Sequence, residues 1–392
     1  MVHVLLGWEF GGNQGHAMAL AAMAAALRKR GHRISFALQR VDAIAPERLE
    51  GAEVWPAPVT PRLLVNASRS RSGHPQSMGD IMARLGFDDP AIVEALLRAW
   101  GRLLDAIRPD LVIADYAPFL LNAARGRVPT IGAGTAFSTP PSAMNAFPSL
   151  TGEPPAYDEE RVLDAVNLGL ARNRLPAIDR LPQIFEASRE MGGSFAELDP
   201  YAEWRRDPLV MPMLRGGVPD IAPGGGEEVF VYAPDNIRVE SKLWDGLARS
   251  GLPVRVHVPA AGKALQQTLA AKGLTVEPEP VPFARIAERS RLLLSHGGHG
   301  FVCSALLAGL PQVICHFDLE KLMHARAVTR LGLGGMVAMQ QIEAEPFAAS
   351  LVEVYRNDAL AARARAAAPG FRGRYDRPKE ESIADTVDVL LA

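Results

Sequence analysis

Short apolar runs alternate with segments of helical spacing along most of the chain. Val2–Leu6 reads as a buried first strand, followed by a glycine-rich loop over Gly7–Gly15. His16–Arg30 carries Ala, Met and Leu at helical spacing and ends on Arg28, Lys29 and Arg30. Gly31 stops it, because glycine accepts the left-handed conformation past a helix end. Arg33–Leu38 and Glu53–Trp55 read as strands, and Ala91–Ile107 as a helix. Leu111–Ala114 is a strand closed by Asp115, and Pro129–Ile131 is another. Strands alternating with helices predict parallel pairing and a doubly wound α/β sheet.

The rhythm breaks over Thr60–Gly86 and Thr135–Pro155, which are rich in Ser, Pro, Met and Gly and read as site-shaping loops. It breaks again over Arg205–Glu228, where Pro208, Pro212, Pro219 and Pro223 precede Gly224-Gly225-Gly226. Such a segment reads as a linker. After it the alternation restarts: strand Val229–Tyr232, helix Ser241–Arg249, then strands Val254–Val258, Leu274–Val276, Leu292–Leu294 and Gln312–Cys315. A helix–glycine–strand junction recurs at Gly31 and Gly251, which fits two domains of similar design. The expected organisation is a first domain over residues 1–210, a linker over 211–225 and a second domain over 226–375. A last helix, Pro378–Leu391, within residues 376–392, is read as crossing back to the first domain.

Composition narrows the chemistry. Of 392 residues, 48% are hydrophobic, enough for two cores, and the formal net charge of −2 gives no basic surface for nucleic acid. The 2 cysteines, Cys303 and Cys315, lie in predicted core segments and supply neither a disulfide scaffold nor a metal spacing. The 9 histidines form no convincing metal spacing either. The amino terminus lacks a basic leader and reads as a strand, and no stretch approaches the ~18 apolar residues that span a bilayer. A cytoplasmic chain is expected, with a homodimer left open.

Two loops carry candidate chemistry. Leu292–Ser295 runs into His296-Gly297-Gly298-His299-Gly300-Phe301 and then a helix ending at Gly309. A helix N-terminus presents unpaired N–H groups and partial positive charge, and glycines let a phosphate approach the backbone. The same residues could form a plain strand–helix turn; their place at the carboxyl end of a strand, where open α/β sheets bind ligands, favours a diphosphate site. In the first half, His16 opens a helix just after Gly11-Gly12-Asn13-Gln14-Gly15. A helix N-terminus disfavours imidazolium, so a histidine there stays neutral and can act as a base. Asp115 ends a strand that neighbours the first strand in the order 3-2-1-4-5, and so falls on the adjacent loop as a carboxylate to orient His16. Capping or core roles are the alternative for both residues.

Ser295-His296-Gly297-Gly298-His299-Gly300, then Ala308-Gly309-Leu310-Pro311-Gln312 and His324-Ala325-Arg326, resemble the donor signature of GT-B glycosyltransferases of the UDP-glycosyltransferase type. The similarity covers about a hundred residues from Val254 onward. It implies two Rossmann-like doubly wound domains facing a cleft, a nucleotide-sugar donor (UDP or TDP), a small apolar acceptor, and neither a cofactor nor a metal. It places His296, Gly297, Gly298, His299, Gly300 and Phe301 at the diphosphate. Val281, Pro282 and Phe283, with Ser304, would meet the nucleoside, and Glu320 and Lys321 the sugar. His16 and Asp115 become the catalytic pair, and Gly12, Asn13 and Phe137 face the acceptor, with the loops Thr60–Gly86 and Ala136–Leu150 forming its pocket.

Departures from the signature matter. Ser304 stands at the family's glutamate, which holds the ribose hydroxyls; relatives using deoxythymidine donors also lack that glutamate. Glu320-Lys321 replaces Asp-Gln at the sugar, and the extra cation suggests an acidic sugar. His324 replaces an asparagine and reads as structural. These changes also allow a glycosyltransferase-like binding or helper protein, and a nucleotide-sugar 2-epimerase shares the fold.

Overall fold

In a computed structural model the described residues are 2–12, 15–64, 74–233, 241–259 and 261–392. They divide into two compact units, residues 1–213 with 377–392, and residues 214–376. The division follows the sheets. The first unit holds β1 (His3–Trp8), β2 (Arg33–Leu38), β3 (Glu53–Pro56), β4 (Leu111–Asp115), β5 (Thr130–Thr135) and β6 (Arg189–Gly193). They are hydrogen-bonded in the order β3-β2-β1-β4-β5-β6, all in parallel. The second unit holds β7 (Glu228–Tyr232), β8 (Val254–His257), β9 (Thr275–Glu277), β10 (Ser290–Ser295), β11 (Gln312–His316) and β12 (Gly334–Ala338). Their order, β12-β11-β10-β7-β8-β9, repeats the first design, again in parallel.

Each sheet is buried on both faces, as parallel pairing requires. In the first unit Val4, Leu6, Ile34, Phe36, Leu111 and Ile113 pack against Leu20, Ala24 and Leu27 of the helix Gly15–Lys29. Ile383, Ala384 and Val387 of the final helix, Lys379–Leu390, complete that cluster. The same helix is tied at its surface by Arg30, which reaches Glu381 at 3.2 Å, Asp385 at 2.6 Å and Asp388 at 2.8 Å. Exposed pairs of this kind are individually weak, so the apolar contacts carry the docking. The helix Pro90–Ile107 starts where the Asp89 carboxylate accepts from the N–H groups of Ala91 and Ile92, with proline at its first turn. Val93, Leu96, Leu97, Trp100, Leu104 and Ile107 form its buried stripe.

Strands β6 and β12 escaped the sequence reading. Arg189-Glu190-Met191-Gly192-Gly193 and Gly334-Gly335-Met336-Val337-Ala338 are short and glycine-containing, without an apolar run. Strand β5 extends to Thr135, past the expected end at Ile131. Among the described residues, no helix is long and apolar enough to cross a membrane. Both cysteines are buried as free thiols.

The two Ser/Pro/Met/Gly-rich segments need correction. Residues 65–73 lie outside the described residues, but helices form at Pro61–Leu64 and Met78–Met82. Met78 and Met82, and Met144 and Phe147 in the other segment, are buried side chains. The second segment is anchored by carboxylates. Glu159 accepts from Phe147 N at 3.1 Å, and Asp80 accepts from Gln76 N at 2.7 Å and Tyr157 N at 3.0 Å. Burial, with the nearby Asp80 charge, pushes the Glu159 carboxyl up to about 7. The folded state thus holds a proton that the unfolded chain releases near 4.5. The associated stability is full below that value and is lost as pH rises through about 7. Glu159→Gln, which keeps an accepting oxygen without the charge, is expected to raise Tm at pH 8 and to leave it unchanged at pH 4; equal Tm at both would contradict the assignment.

Candidate active site

The first site is built by the pairing of β1 with β4, in which Trp8 stands opposite Asp115. Their loops leave the sheet side by side. The Glu9 carboxylate fastens them: it accepts from Phe119 N at 3.0 Å and Leu120 N at 2.7 Å, in the first turn of the helix Pro118–Ala124. Burial raises the Glu9 carboxyl well above its usual range, against these two donors. Phe10 N adds a bond to the Tyr116 carbonyl at 3.2 Å.

His16 is the second residue of the helix Gly15–Lys29. Its Nδ1 lies 3.0 Å from Asp115 Oδ1, with the His16 side chain 19% and the Asp115 side chain 2% exposed. A carboxylate accepts, so Nδ1 carries the hydrogen and Nε2 the lone pair. The ring stacks between Trp8, at 5.7 Å, and Tyr116, at 6.2 Å between centroids. Gly11 makes room for it: a Cβ there would fall 2.2 Å from His16 Nε2. Its φ of +89° also favours glycine. Orientation, tautomer and exposure together equip His16 to take a proton.

The second site follows β10. The Ser295 hydroxyl accepts from Gly297 N at 3.1 Å, which tightens the turn. Gly297 has φ +90°, and a Cβ there would meet Ile314 Cγ2 at 2.7 Å. Gly298 caps the helix His299–Ala308 without a side-chain acceptor and without acidic residues in the first turn. The first N–H groups of a helix have no intrahelical acceptor, so this end is set to receive an anion. His296 is buried and its Nδ1 has no hydrogen-bond partner among the described residues. Burial, with the Lys321 charge, lowers its pKa to about 3, so the ring is neutral. The turn is braced from below by His324, whose Nδ1–H donates to the Gly297 carbonyl at 2.8 Å. Among the described residues no group of three or more His, Cys, Asp and Glu side chains could hold a metal.

The fold has counterparts among known proteins. Residues 256–386 match the family described as "Erythromycin biosynthesis protein CIII-like, C-terminal domain". No curated protein matches the chain. Among solved structures, CalG4, the calicheamicin glycosyltransferase, superposes with a TM-score of 0.70 at 22% identity, over 100% of this chain and 98% of its own. A Streptomyces sp. SF2575 glycosyltransferase, SsfS6, complexed with thymidine diphosphate, superposes at 0.61 and 17% identity over 99% of each chain. The spinosyn rhamnosyltransferase SpnG, complexed with spinosyn aglycone, superposes at 0.62 and 17% identity, over 99% of this chain and 100% of its own. The chain shares the two-domain fold of these glycosyltransferases.

Several residues assigned from the GT-B glycosyltransferase resemblance take other places. Phe137 is 4% exposed and packs 6.4 Å from the Tyr201 ring, which gives it a buried packing role. The Ser304 hydroxyl donates to the Gly300 carbonyl at 2.9 Å inside its own helix, and the residue is 5% exposed, which gives it a helix-internal role. Lys321 is no loose cation. Its ammonium contacts Glu320 and lies 3.7 Å from Asp318 Oδ2, and its backbone N–H is capped by Asp318 at 2.9 Å. Burial alone would lower its pKa, but the Glu320 and Asp318 carboxylates outweigh it and raise the value. The reason for expecting an acidic sugar therefore falls. Pro282 caps the helix Phe283–Arg289, Val281 and Phe283 lie partly buried against the Phe230 and Leu293 core, and Phe283 meets Phe301 edge-on at 5.5 Å. Phe301 also stacks on Tyr232 at 5.4 Å. His299 Nε2 lies 3.6 Å from Cys303 Sγ. Gly12 borders open space, and Asn13 lies outside the described residues. The sequence reading missed Gly11 and Glu9. Both lay in the glycine-rich loop Gly7–Gly15 without a mark of their own.

Gly11→Ala is expected to force the His16 ring away from Asp115. The Nδ1 proton resonance of a histidine held by a carboxylate should weaken or vanish in the variant's NMR spectrum, while Gly12→Ala, in open space, leaves it in place.

Proposed function

We propose that the chain is an inverting glycosyltransferase that moves a sugar from a nucleoside diphosphate to a hydroxyl of a small apolar acceptor. The observation that carries this reading is the His16–Asp115 pair, 3.0 Å apart on the loops after β1 and β4. A binding or helper protein has no use for an oriented base at that position. His16 Nε2 takes the acceptor hydroxyl proton as the oxygen attacks the anomeric carbon, and Asp115 stabilises the imidazolium formed. The bond from that carbon to the diphosphate breaks on the opposite face, so a single displacement inverts the configuration. The leaving diphosphate takes the electron pair, and the N–H groups at His299–Phe301 with the neutral His296 ring receive its charge.

The donor nucleoside is proposed to be thymidine diphosphate. Ser304, turned into its helix, offers no side chain to a ribose 2′-hydroxyl, and a deoxyribose has none. The thymidine diphosphate complex of the SF2575 glycosyltransferase supports the same choice. A small acceptor is proposed by analogy with the similar calicheamicin glycosyltransferase and the spinosyn aglycone complex.

Thermal shift with TDP, UDP and GDP tests the donor. A nucleotide at about 100 times its Kd stabilises the native state by ~2.7 kcal/mol. TDP is expected to raise Tm most, UDP less and GDP not at all; no shift with any would remove the nucleotide reading. With a donor and acceptor in hand, His16→Ala is expected to lower kcat by about 10²–10⁴-fold while keeping the TDP shift. Full turnover in that variant would overturn the mechanism, and retention at the anomeric carbon in the product NMR spectrum would overturn inversion.

A further inference from the structure

The final helix places a lysine where an enzyme rarely keeps one. Lys379 is its first residue and is 3% exposed. Its ammonium donates to the Gly134 carbonyl on β5. Gly134 follows Ala133, the register partner of Asp115, and a Cβ on Gly134 would lie 3.2 Å from Asp115 Oδ1. The lysine stem reaches this point across Gly193 on β6, where a Cβ would lie 2.8 Å from its Cδ and 3.2 Å from its Nζ. Gly193 thus leaves the space through which the long side chain passes to the Gly134 carbonyl.

The charges around it are few. Asp115 on β4 and Glu380 on its own helix are the charged groups that act on Lys379. Strand β5 has no ionisable side chain. On β6, Glu190 is held by Ser142 N at 3.2 Å, and Arg189 bonds the Ser188 carbonyl. Arg205, near Gly192, is paired with Asp199 at 2.5 Å. Asp115 and the rings of Trp8 and Tyr116 face His16.

We propose that Lys379 is a positioning residue for the His16–Asp115 pair: delivered by the final helix, its buried ammonium holds the Gly134 carbonyl beside Asp115 and balances the carboxylate, so that helix docking sets the basicity of His16. The proposal rests on the catalytic reading of that pair. Stability does not explain the lysine. Burial, against the pull of Asp115 and Glu380, lowers its pKa to about 8. Below that pH the folded state carries a charge it holds less readily than the unfolded chain does. The site therefore opposes folding at neutral pH, and the penalty lifts as pH rises through 8. Buried charges that oppose folding concentrate at functional sites.

The test reads His16 directly, by NMR titration of its imidazole in the substrate-free protein, assigned by loss of the signal in His16→Gln. Lys379→Met keeps the stem and removes the charge. Without that cation the pair binds a proton more tightly, so the His16 midpoint is expected to rise by about one pH unit, and Lys379→Arg to restore it. An unchanged midpoint in folded Lys379→Met overturns the proposal. If Lys379→Met does not fold, the wild-type titration decides: a second inflection of the His16 shift near pH 8 supports the coupling, and its absence overturns it. None of these readouts needs turnover, so a coupled His16 in a protein that transfers no sugar would sink the function above and leave this inference standing. With transfer in hand, the acid limb of kcat/KM moves upward with the His16 midpoint.

Discussion

The hydrogen-bonded ladder between β1 and β4 is the constraint on which the first unit's chemistry depends. It places Trp8 opposite Asp115, and everything that orients His16 is hung from those two strand ends. A parallel sheet allows little freedom in this, since a shift of one residue turns every side chain to the other face. Apolar packing fixes the register: Val4, Leu6, Leu111 and Ile113 belong to one core cluster, and a slip of one residue would turn them to the opposite, also buried, face and break that packing. The polar lacing of Glu9 to the helix at Pro118 then stops the two loops from moving apart. The weak interaction at the top, a single imidazole–carboxylate bond, thus inherits its geometry from strong, cooperative burial below.

Both half-sites use glycine to bring an imidazole close to the backbone. Gly11 leaves space for the His16 ring and Gly298 for the His296 ring, where a Cβ would lie 2.2 Å and 2.9 Å from the respective Nε2 atoms. Clearance of this kind is why the loops are glycine-rich even where no left-handed backbone is needed, as at Gly298, whose φ is −61°. The two histidines differ in environment. His16 is partly open and faces a carboxylate, whereas His296 is buried, with a cation nearby, and kept neutral.

Much of this was legible in the sequence because it follows from periodicity. Alternating strands and helices predicted two doubly wound sheets, and the order 3-2-1-4-5 alone made His16 and Asp115 neighbours across 99 positions of chain. What was not legible depends on side-chain direction. Phe137, Met78 and Phe147 sit in segments of loop composition, yet each turns inward to a core that composition does not reveal. Ser304 and Lys321 were read by position in a signature, but their own hydrogen bonds, to Gly300 and to the Asp318–Glu320 pair, decide what they can offer. Lys379 was invisible for the same reason. A lysine after a proline at a helix start reads as a solvated first turn until the slot over Gly193 is seen.

The two units therefore divide the electrostatic work. In the second unit the anion-binding end is made of backbone N–H groups, which do not titrate. Its ionisable neighbours are pinned: His296 is neutral down to about pH 3, and Lys321 is held charged by two carboxylates. On the proposed reading, diphosphate binding built this way has no protonation state to lose across the neutral range. In the first unit the opposite holds. On the proposed reading His16 must exchange a proton in every turnover, so its environment cannot be pinned. A buried cation nearby whose own pKa is about 8 is then a means of adjusting that proton affinity without touching the substrate. Because the cation sits on a helix distant in sequence from both strands, the adjustment exists only when the chain's last segment is docked. The base is thereby tied to completion of the fold, and pH sensitivity should reside in the acceptor-activating half of the reaction, not in donor binding.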